Sequence, residues 1–417
     1  MEAPTLLDIT RVGLRIGVLS FGGPTAQIAL MHKELVEDRP WLTEEQYLRA
    51  LSFCMLLPGP EAMQLATYAG WRLRGIPGGL IAGSLFVIPG AVVIMALALL
   101  YARFGEVPLI EAMFLGIKAA VVVIVAQALV KIARRALTGT AQRLMAVLGF
   151  IALFFFDVPF PAVILIAGIV GAFLARGQTH EPTGAGVSPA RTLRVFLVGG
   201  VIWALPLVLA LSLNADLLVA AWTFFSKLAV VTFGGAYAVL AYMTQEVVQD
   251  LGWLTTEQMI AALGLAETTP GPLILVTQFV AALTGVSQGG TGLAFAMAGI
   301  TLWATFVPCF IWIFAGAPYI DWLAGRPKLT GALTMITAAV VGVIANLSLW
   351  FALHVLFASN AVEEAGPLRV LVPDLSSFSP TALALTALAA LLLMRFGWSI
   401  PLALAVLAAA GGVAGAL

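Results

Sequence analysis

The sequence has little charge for its length. Charged residues make up 10% of its 417 residues and hydrophobic residues 61%, whereas soluble domains carry roughly 25% charged residues. So few charges exclude an ordinary water-soluble domain and predict a protein that lies in the lipid bilayer. The 21 basic and 21 acidic residues balance, so we expect no nucleic-acid partner.

Residues that bind metals or form disulfides are also scarce. Only two cysteines, Cys54 and Cys309, and three histidines are present. The cysteines lie far apart in apolar stretches, which argues against a disulfide framework and against a metal cluster. The chain lacks the pattern GxxxxGK followed by Ser or Thr, so nothing indicates an ATP-driven motor. We expect no metal, no other cofactor and no enzymatic activity.

The chain does have a succession of apolar stretches, several of them with the roughly 20 residues that a helix needs to cross a bilayer core. Two short stretches, 141–156 and 159–175, predict a tight helical hairpin around Asp157. The segment 176–191 is too polar for lipid and is expected to be a linker, and 359–377 is a second polar loop.

A 40-residue pattern occurs twice, 212 residues apart and without a gap. Between 21–60 and 233–272, 19 of the 40 positions are identical, and many of these are Gly, Pro, Trp or polar residues. The shared motifs are Phe-Gly-Gly, Trp-Leu-Thr and Pro-Gly-Pro. A duplicated pattern of helix breakers in an apolar chain is typical of secondary transporters.

We therefore predict an all-α polytopic membrane protein built from two repeats with broken, re-entrant helix hairpins. Residues 1–176 are expected to form the N-terminal repeat and 218–417 the C-terminal repeat. Between them, 177–217 contain the polar linker and one extra transmembrane helix. If each repeat crosses the membrane an even number of times, this helix inverts the second repeat relative to the first.

The distribution of Lys and Arg favours re-entrant hairpins over hairpins that span. With a cytoplasmic N-terminus and re-entrant hairpins, 15 of these residues lie inside and 2 outside; if every apolar stretch spans, the division is 12 and 5. Cytoplasmic loops of membrane proteins carry an excess of positive charge, so the first arrangement is preferred.

The breaks predict a site for an anion. In each repeat a helix of about 14 residues should end at Phe-Gly-Gly, and two further arms should meet at Pro-Gly-Pro. Capping-box patterns at Thr43 and Thr255 start the second hairpin. Broken backbone at membrane depth survives only inside protein or beside water, and helix N-termini attract anions. We expect the four breaks to converge on a cavity; the alternative is that Gly and Pro only allow close packing or kinks.

Ionisable residues within the apolar stretches are further candidates, because they are costly there. Arg15 and Lys227 are repeat partners, each six residues before Phe-Gly-Gly, and they are expected to clamp a dianion unless each extends to the membrane interface. Lys118 is a third cation. Glu61 and Glu267 are hypothetical proton carriers, although Glu61 equally suits a helix cap. The predicted substrate-binding residues are Arg15, Phe21, Gly22, Gly23, Pro24, Gln27, Pro58, Gly59, Pro60, Glu61, Gln64, Lys118, Lys227, Phe233, Gly234, Gly235, Tyr237, Thr269, Pro270, Gly271 and Pro272.

At these motifs the chain resembles the chromate ion transporter family of the CHR superfamily, in its long two-domain form. The resemblance lies in Phe-Gly-Gly-Pro at 21–24, in 32–42, in Leu-Leu-Pro-Gly-Pro-Glu at 56–61 and in 64–68. It extends to the matching segments 233–237 and 269–272. The second copy departs from the first at Ala236 and Leu273, so the two copies are not chemically equivalent.

The resemblance implies a secondary transporter that exports chromate across the bacterial inner membrane, with sulfate as a related oxyanion. The membrane potential, a proton gradient or both are expected to drive it. The expected partners are the oxyanion, the lipid bilayer and a second copy of the chain in a homodimer. Two alternatives remain open at this point: an importer of sulfate or a similar oxyanion, and, remotely, an intramembrane enzyme that reduces chromate.

Overall fold

The computed structural model describes residues 4–175, 188–233, 236–320, 326–366 and 368–416. Most of these residues are helical. In chain order the helices are α1 (Leu6–Leu19), α2 (Gly23–His32), α3 (Glu44–Cys54), α4 (Glu61–Phe104), α5 (Pro108–Ala136), α6 (Thr140–Phe156), α7 (Phe160–Leu174), α8 (Pro189–Ser212), α9 (Asp216–Val231), α10 (Ala236–Gln245), α11 (Thr256–Glu267), α12 (Val276–Gly316), α13 (Pro327–Leu356), α14 (Pro380–Ala390) and α15 (Ile400–Ala416). Short π-helical turns extend α2 (Lys33–Glu37), α10 (Glu246–Asp250) and α14 (Leu391–Arg395).

Five helices in the described part of the chain are long and apolar enough to cross a membrane. They are Glu61–Phe104, Pro108–Ala136, Pro189–Ser212, Leu273–Tyr319 and Pro327–Leu356. This confirms the predicted all-α polytopic architecture. A small β-hairpin adds to it: β1 (Asn360–Ala365) pairs antiparallel with β2 (Leu368–Pro373), where the sequence indicated only a polar loop.

Local signals in the sequence fix several helix ends. The side chains of Thr43 and Thr255 accept hydrogen bonds from the backbone N–H of Gln46 (3.2 Å) and Gln258 (3.3 Å), so both predicted capping boxes are confirmed. The hairpin of α6 and α7 is also confirmed. It turns at Asp157, whose φ of 49° lies in the left-handed region that ends the helix.

The described residues pack into two units, and each repeat contributes to both. The first unit contains Met1–Ala102, Gln178–Ala236 and Thr269–Arg326; the second contains Arg103–Gly177, Tyr237–Thr268 and Pro327–Leu417. The matched motif hairpins are therefore divided: α2 and α3 belong to the first unit, whereas α10 and α11 belong to the second. Most of the predicted linker, 176–187, lies outside the described residues.

Within the first unit, α2 folds back along α1. The Arg15 side chain on α1 forms an ion pair of 3.0 Å with Glu34, which follows α2. Ile9 on α1 lines a small apolar cavity together with Leu35 and Trp41. The loop after α2 thus lies beside the early part of α1, as a re-entrant hairpin requires. With its π-helical turn α2 is only about 22 Å long, too short for a hydrocarbon core of about 30 Å.

A second fold-back follows in the same unit. Helix α4 is interrupted at Arg74 and Gly75, where Gly75 has a φ of 64°. The Arg74 side chain donates a hydrogen bond of 2.6 Å from Nε to the carbonyl of Pro4, just before α1 begins. The break at Arg74 and Gly75 therefore lies beside the start of α1. The chain has folded back to this point before the longer part of α4, which follows Gly75, begins. Helix α12 has a matching interruption at Gly289 and Gly290.

Close helix contacts hold the second unit together. Helix α13 packs along α5, α6 and α7, and α15 packs along α5. Glycines allow the backbones to approach: a Cβ atom on Gly116 would lie 1.8 Å from the carbonyl oxygen of Leu407, and one on Gly171 would lie 2.2 Å from that of Gly331. Small residues at such contacts are what association in a membrane requires, since apolar burial drives little there.

Candidate functional site: the helix breaks

The first break separates α1 from α2. Gly22 and Gly23 have φ angles of 85° and 75°, in the left-handed region that glycine tolerates. Phe21 is 41% exposed, and no side chain caps the start of α2, whose first turn contains Pro24. Because no side chain caps it and Gly22 is exposed, this helix N-terminus keeps the positive end of its dipole available to an anion.

The second break, Pro58–Gly59–Pro60, is held by hydrogen bonds to other residues of the first unit. Gly59 has a φ of 117°, and its backbone N–H donates a hydrogen bond of 2.9 Å to the carbonyl of Thr232. The Gln64 side chain donates from Nε2 to the carbonyl of Pro58 at 2.7 Å. A Cβ atom on Gly59 would come within 2.9 Å of the Cys309 sulfur, so only glycine fits this corner.

The matching break in the second repeat, Pro270–Gly271–Pro272, is bonded in the same way. The Gly271 N–H donates a hydrogen bond of 3.0 Å to the carbonyl of Ser20, at the end of α1. The Gln27 side chain then joins the two breaks, because its Nε2 donates to the carbonyls of Ser20 (3.2 Å) and Gly271 (2.6 Å). Gln27 is buried, as are all three residues of the break.

These contacts are reciprocal. Ser20 and Thr232 are repeat partners, and so are Gly59 and Gly271, so each repeat donates at one break and accepts at the other. Such an exchange is the mark of a two-fold relation between two copies. The first unit therefore brings together the ends of α1 and α9 and both Pro-Gly-Pro corners.

The remaining break follows α9. Phe233 donates its N–H to the carbonyl of Val231 at 3.0 Å, as Phe21 does to Leu19 at 2.9 Å, so the two copies enter this break with the same turn. Gly234 and Gly235, which the sequence placed in the site, lie outside the described residues.

The predicted cations lie in different surroundings. The Arg15 charge is compensated by Glu34, which is 2% exposed and also pairs with Arg39. Lys227 is exposed on α9 in the first unit, whereas Lys118 is half-buried on α5 in the second. Lys118 therefore belongs to a different unit from Arg15 and Lys227, and the role of all three cations stays a prediction.

The two candidate proton carriers, Glu61 and Glu267, also belong to different units. Glu61 begins α4 in the first unit, one residue after the second break. Glu267 ends α11 in the second unit, is 7% exposed, and accepts a hydrogen bond of 2.7 Å from the Tyr237 hydroxyl. Tyr237 was expected among the substrate contacts, and the structure shows it bonded to a carboxylate. Thr269 is buried in the first unit.

One polar feature was not predicted. A cavity of about 370 Å³ in the second unit is lined by Asp157, Gln245, Asn346, His354 and Arg369, among others. These residues come from four separate segments of the chain, so no motif or spacing in the sequence indicated that they meet.

The family model described as chromate transporter matches residues 7–172 and 219–416. The chain belongs to the chromate transporter family. The two matched segments confirm that the protein contains two repeats of this family, and the helices confirm that it is a polytopic membrane protein.

Several chromate transport proteins resemble the chain over most of their length. It is 31% identical to "Probable chromate transport protein" of Synechococcus elongatus over 345 residues, and this alignment covers 82% of this chain and 84% of that protein. It is 31% identical over 344 residues to "Chromate transport protein" of Cupriavidus metallidurans, covering 82% and 81%. The chromate transport protein of Pseudomonas aeruginosa is 29% identical over 338 residues, covering 79% and 77%. No solved structure matches the chain. As a member of the chromate transporter family, the chain is a transporter.

Proposed function

We propose that this chromate transporter family member exports chromate from the cytoplasm across a bacterial inner membrane, with sulfate as a related substrate. The relatives named chromate transport proteins support the substrate. The observation on which the proposal chiefly depends is the reciprocal pair of hydrogen bonds, Gly59 to Thr232 and Gly271 to Ser20. It places broken helix ends from both repeats together, which is how transporters of duplicated topology build a substrate site.

The oxyanion is bound by backbone groups at the breaks, chiefly at the uncapped start of α2 beside Gly22 and Gly23. The Arg15 and Lys227 charges attract the dianion, and Gln27 and Gln64 brace the broken backbone by their hydrogen bonds to its carbonyls. The repeats, 1–176 and 218–417, have inverted topology, with the N-terminus in the cytoplasm.

The membrane potential alone favours export. A negative interior pushes an anion outward by ~2.3 kcal/mol per charge per 100 mV, or roughly 4.6 kcal/mol for a dianion. Exchange for an incoming proton adds the pH gradient to this force. Glu61 and Glu267 are the candidate proton carriers.

Inside-out membrane vesicles from cells that express the protein test this proposal. Energised vesicles should accumulate chromate, and they should do so more slowly when the potential is collapsed with valinomycin and K⁺, or the pH gradient with nigericin. Unchanged accumulation after both treatments would show that neither gradient drives transport. Intact cells should become more resistant to chromate. Greater sensitivity would instead identify an importer of sulfate-like oxyanions that also admits chromate.

A further inference from the structure

We propose that the polar cavity of the second unit delivers protons from outside the cell to Glu267 by way of Tyr237. This inference rests on the proposed export function and identifies the residues that couple it to protons.

The cavity joins solvent to the interior of the second unit. At its outer end are Val362, which is 54% exposed, and Arg369, whose side chain is 49% exposed; both lie on the β-hairpin. Its inner wall is formed by residues of α10 and α13, including Ala241 and Asn346. The polar side chains of Gln245 and Asn360 belong to residues that also line it. A polar cavity of this volume suits several water molecules.

One face of α10 leads from this cavity to Glu267. Ala241 and Gln245 line the cavity, and Tyr237 precedes Ala241 by four residues on the same helix. Residues four apart share a helix face, so Tyr237 lies on the same face of α10 as Ala241, about 6 Å further along the helix axis. Its hydroxyl donates to Glu267 Oε1 at 2.7 Å. In the described part of the chain, Tyr237 is the sole side chain that hydrogen-bonds to this carboxylate.

The charged groups around the path do not neutralise Glu267. Helix α11 packs against α5 and α15. Helix α15 has no ionisable side chain, and the ionisable side chains of α5 are Glu111, Lys118, Lys131, Arg134 and Arg135. Lys118 acts electrostatically on Glu257, at the opposite end of α11. The ionisable groups of the cavity itself are Asp157, Tyr242, His354 and Arg369. Asp157 and Arg369 pair with each other at 2.5 Å.

The proton step is balanced by two transfers. Tyr237 passes its hydroxyl proton to Glu267 while its oxygen takes a proton from a hydronium ion that brings an external proton through the cavity water. The hydronium ion becomes water, the tyrosine is restored, and the carboxylate becomes neutral, so one proton has entered. In the proposed topology, the β-hairpin and the loop after α10 lie outside the cell. Protons therefore enter through the cavity while chromate leaves, which is the direction that proton antiport requires.

Purified full-length protein in proteoliposomes tests the path with two assays. One measures chromate movement driven by a pH gradient without a membrane potential, and the other measures exchange of chromate for labelled chromate at equal pH. Glu267→Gln should lower the gradient-driven rate at least about tenfold while exchange stays within about twofold of wild type. Glu257→Gln, which changes another carboxylate of α11 outside the cavity, should leave both rates near wild type.

A second variant examines the cavity without touching the acid. Ala241→Leu narrows the floor and should slow gradient-driven transport severalfold and flatten its dependence on external pH, again with exchange retained. The assignment would be overturned if Glu267→Gln kept the wild-type rate of gradient-driven transport. It would also be overturned if this variant lost chromate exchange together with gradient-driven transport. So would an unchanged pH profile in Ala241→Leu. Failure of export itself would be distinguishable, because the wild-type protein would then move no chromate in either assay.

Discussion

Gly59 donates its backbone N–H to the carbonyl of Thr232, and the two residues belong to different repeats. The partner bond from Gly271 to Ser20 repeats this relation with the roles exchanged. Each repeat thus depends on the other to satisfy a backbone group that its own broken helix leaves unpaired. In lipid an unpaired backbone group costs several kcal/mol, so the two bonds stabilise the breaks as a pair.

Alanine at either glycine should therefore be destabilising. Gly59→Ala and Gly271→Ala place a Cβ atom at φ angles of 117° and 87°, and at Gly59 the new atom also meets Cys309 and Gln64. We expect each to lower the free energy of unfolding by at least about 1–2 kcal/mol, measured by thermal unfolding in detergent. Gly200→Ala is the control, since nothing lies within 4 Å of its Cβ position in α8. Equal stability of the three variants would contradict the described geometry.

The proposed dianion clamp predicts how strongly the replacement of each of three cations slows chromate transport. Arg15→Gln and Lys227→Gln should each slow chromate transport about tenfold, the factor expected for one lost charge-assisted contact. Arg103→Gln, at the far end of α4, should have a smaller effect. The assay is uptake into inside-out vesicles at matched expression.

The ion pair of Arg15 with Glu34 requires a fourth variant. Glu34→Gln removes the pair but keeps the Arg15 charge, while Arg39 loses its partner as well. If Arg15 serves the substrate, Glu34→Gln should impair transport less than Arg15→Gln. The same loss in both would show that Arg15 acts by holding the loop after α2.

Inverted topology predicts that the two motif loops label from opposite sides of the membrane. Lys33 and Gln249 are both exposed, each in the π-helical turn that extends its motif helix. Both native cysteines, Cys54 and Cys309, are buried, so an introduced cysteine gives the main signal with a membrane-impermeant maleimide. Lys33→Cys should react in inside-out vesicles and Gln249→Cys in intact cells. Reaction of both from one side would mean that the repeats are oriented alike.

A histidine beside the first hairpin predicts a pH-dependent stability. The hydrogen bond that the His32 ring donates to the Glu44 carboxylate raises the pKa of His32 above 6.5, against the opposing effect of burial, and Glu37 adds to the rise. A raised pKa in the folded state means that the stabilisation is complete below about pH 6.5. It is lost as the pH rises through the folded-state pKa.

The melting temperature of the wild-type protein should therefore fall as the pH is raised from 6 to 8. His32→Gln should show a smaller fall, because glutamine keeps a polar side chain but does not titrate. Glu45→Gln, one residue from Glu44 and exposed, is a suitable control. Parallel curves for wild type and His32→Gln would remove the assigned contribution of His32.

Local features of this fold follow from the sequence. The end of α1 at Phe-Gly-Gly, the caps at Thr43 and Thr255 and the turn at Asp157 depend on residues close in the chain, so their patterns predicted them. The reciprocal bonds at Gly59 and Gly271 join residues that only the tertiary fold brings together, and no pattern of spacing specifies them.

Other features were missed for related reasons. The sequence predicts a loop where the β-hairpin forms, because the first strand contains Glu363 and Glu364 in succession and shows no alternation of polar and apolar residues. The bond of Tyr237 to Glu267 joins residues 30 positions apart. In the first repeat the corresponding positions are Thr25 and Met55, so comparison of the copies gave no indication of it.

The division of the repeats between units predicts how the protein behaves when it is expressed as two separate polypeptides. The first unit needs 1–102 from one half of the chain and 269–326 from the other, and the second likewise mixes 103–177 with 327–417. Neither half contains a full set of its own packing neighbours. Split into two polypeptides near residue 185, the protein should accumulate only when both pieces are made in the same cell, each acting as the folding template of the other.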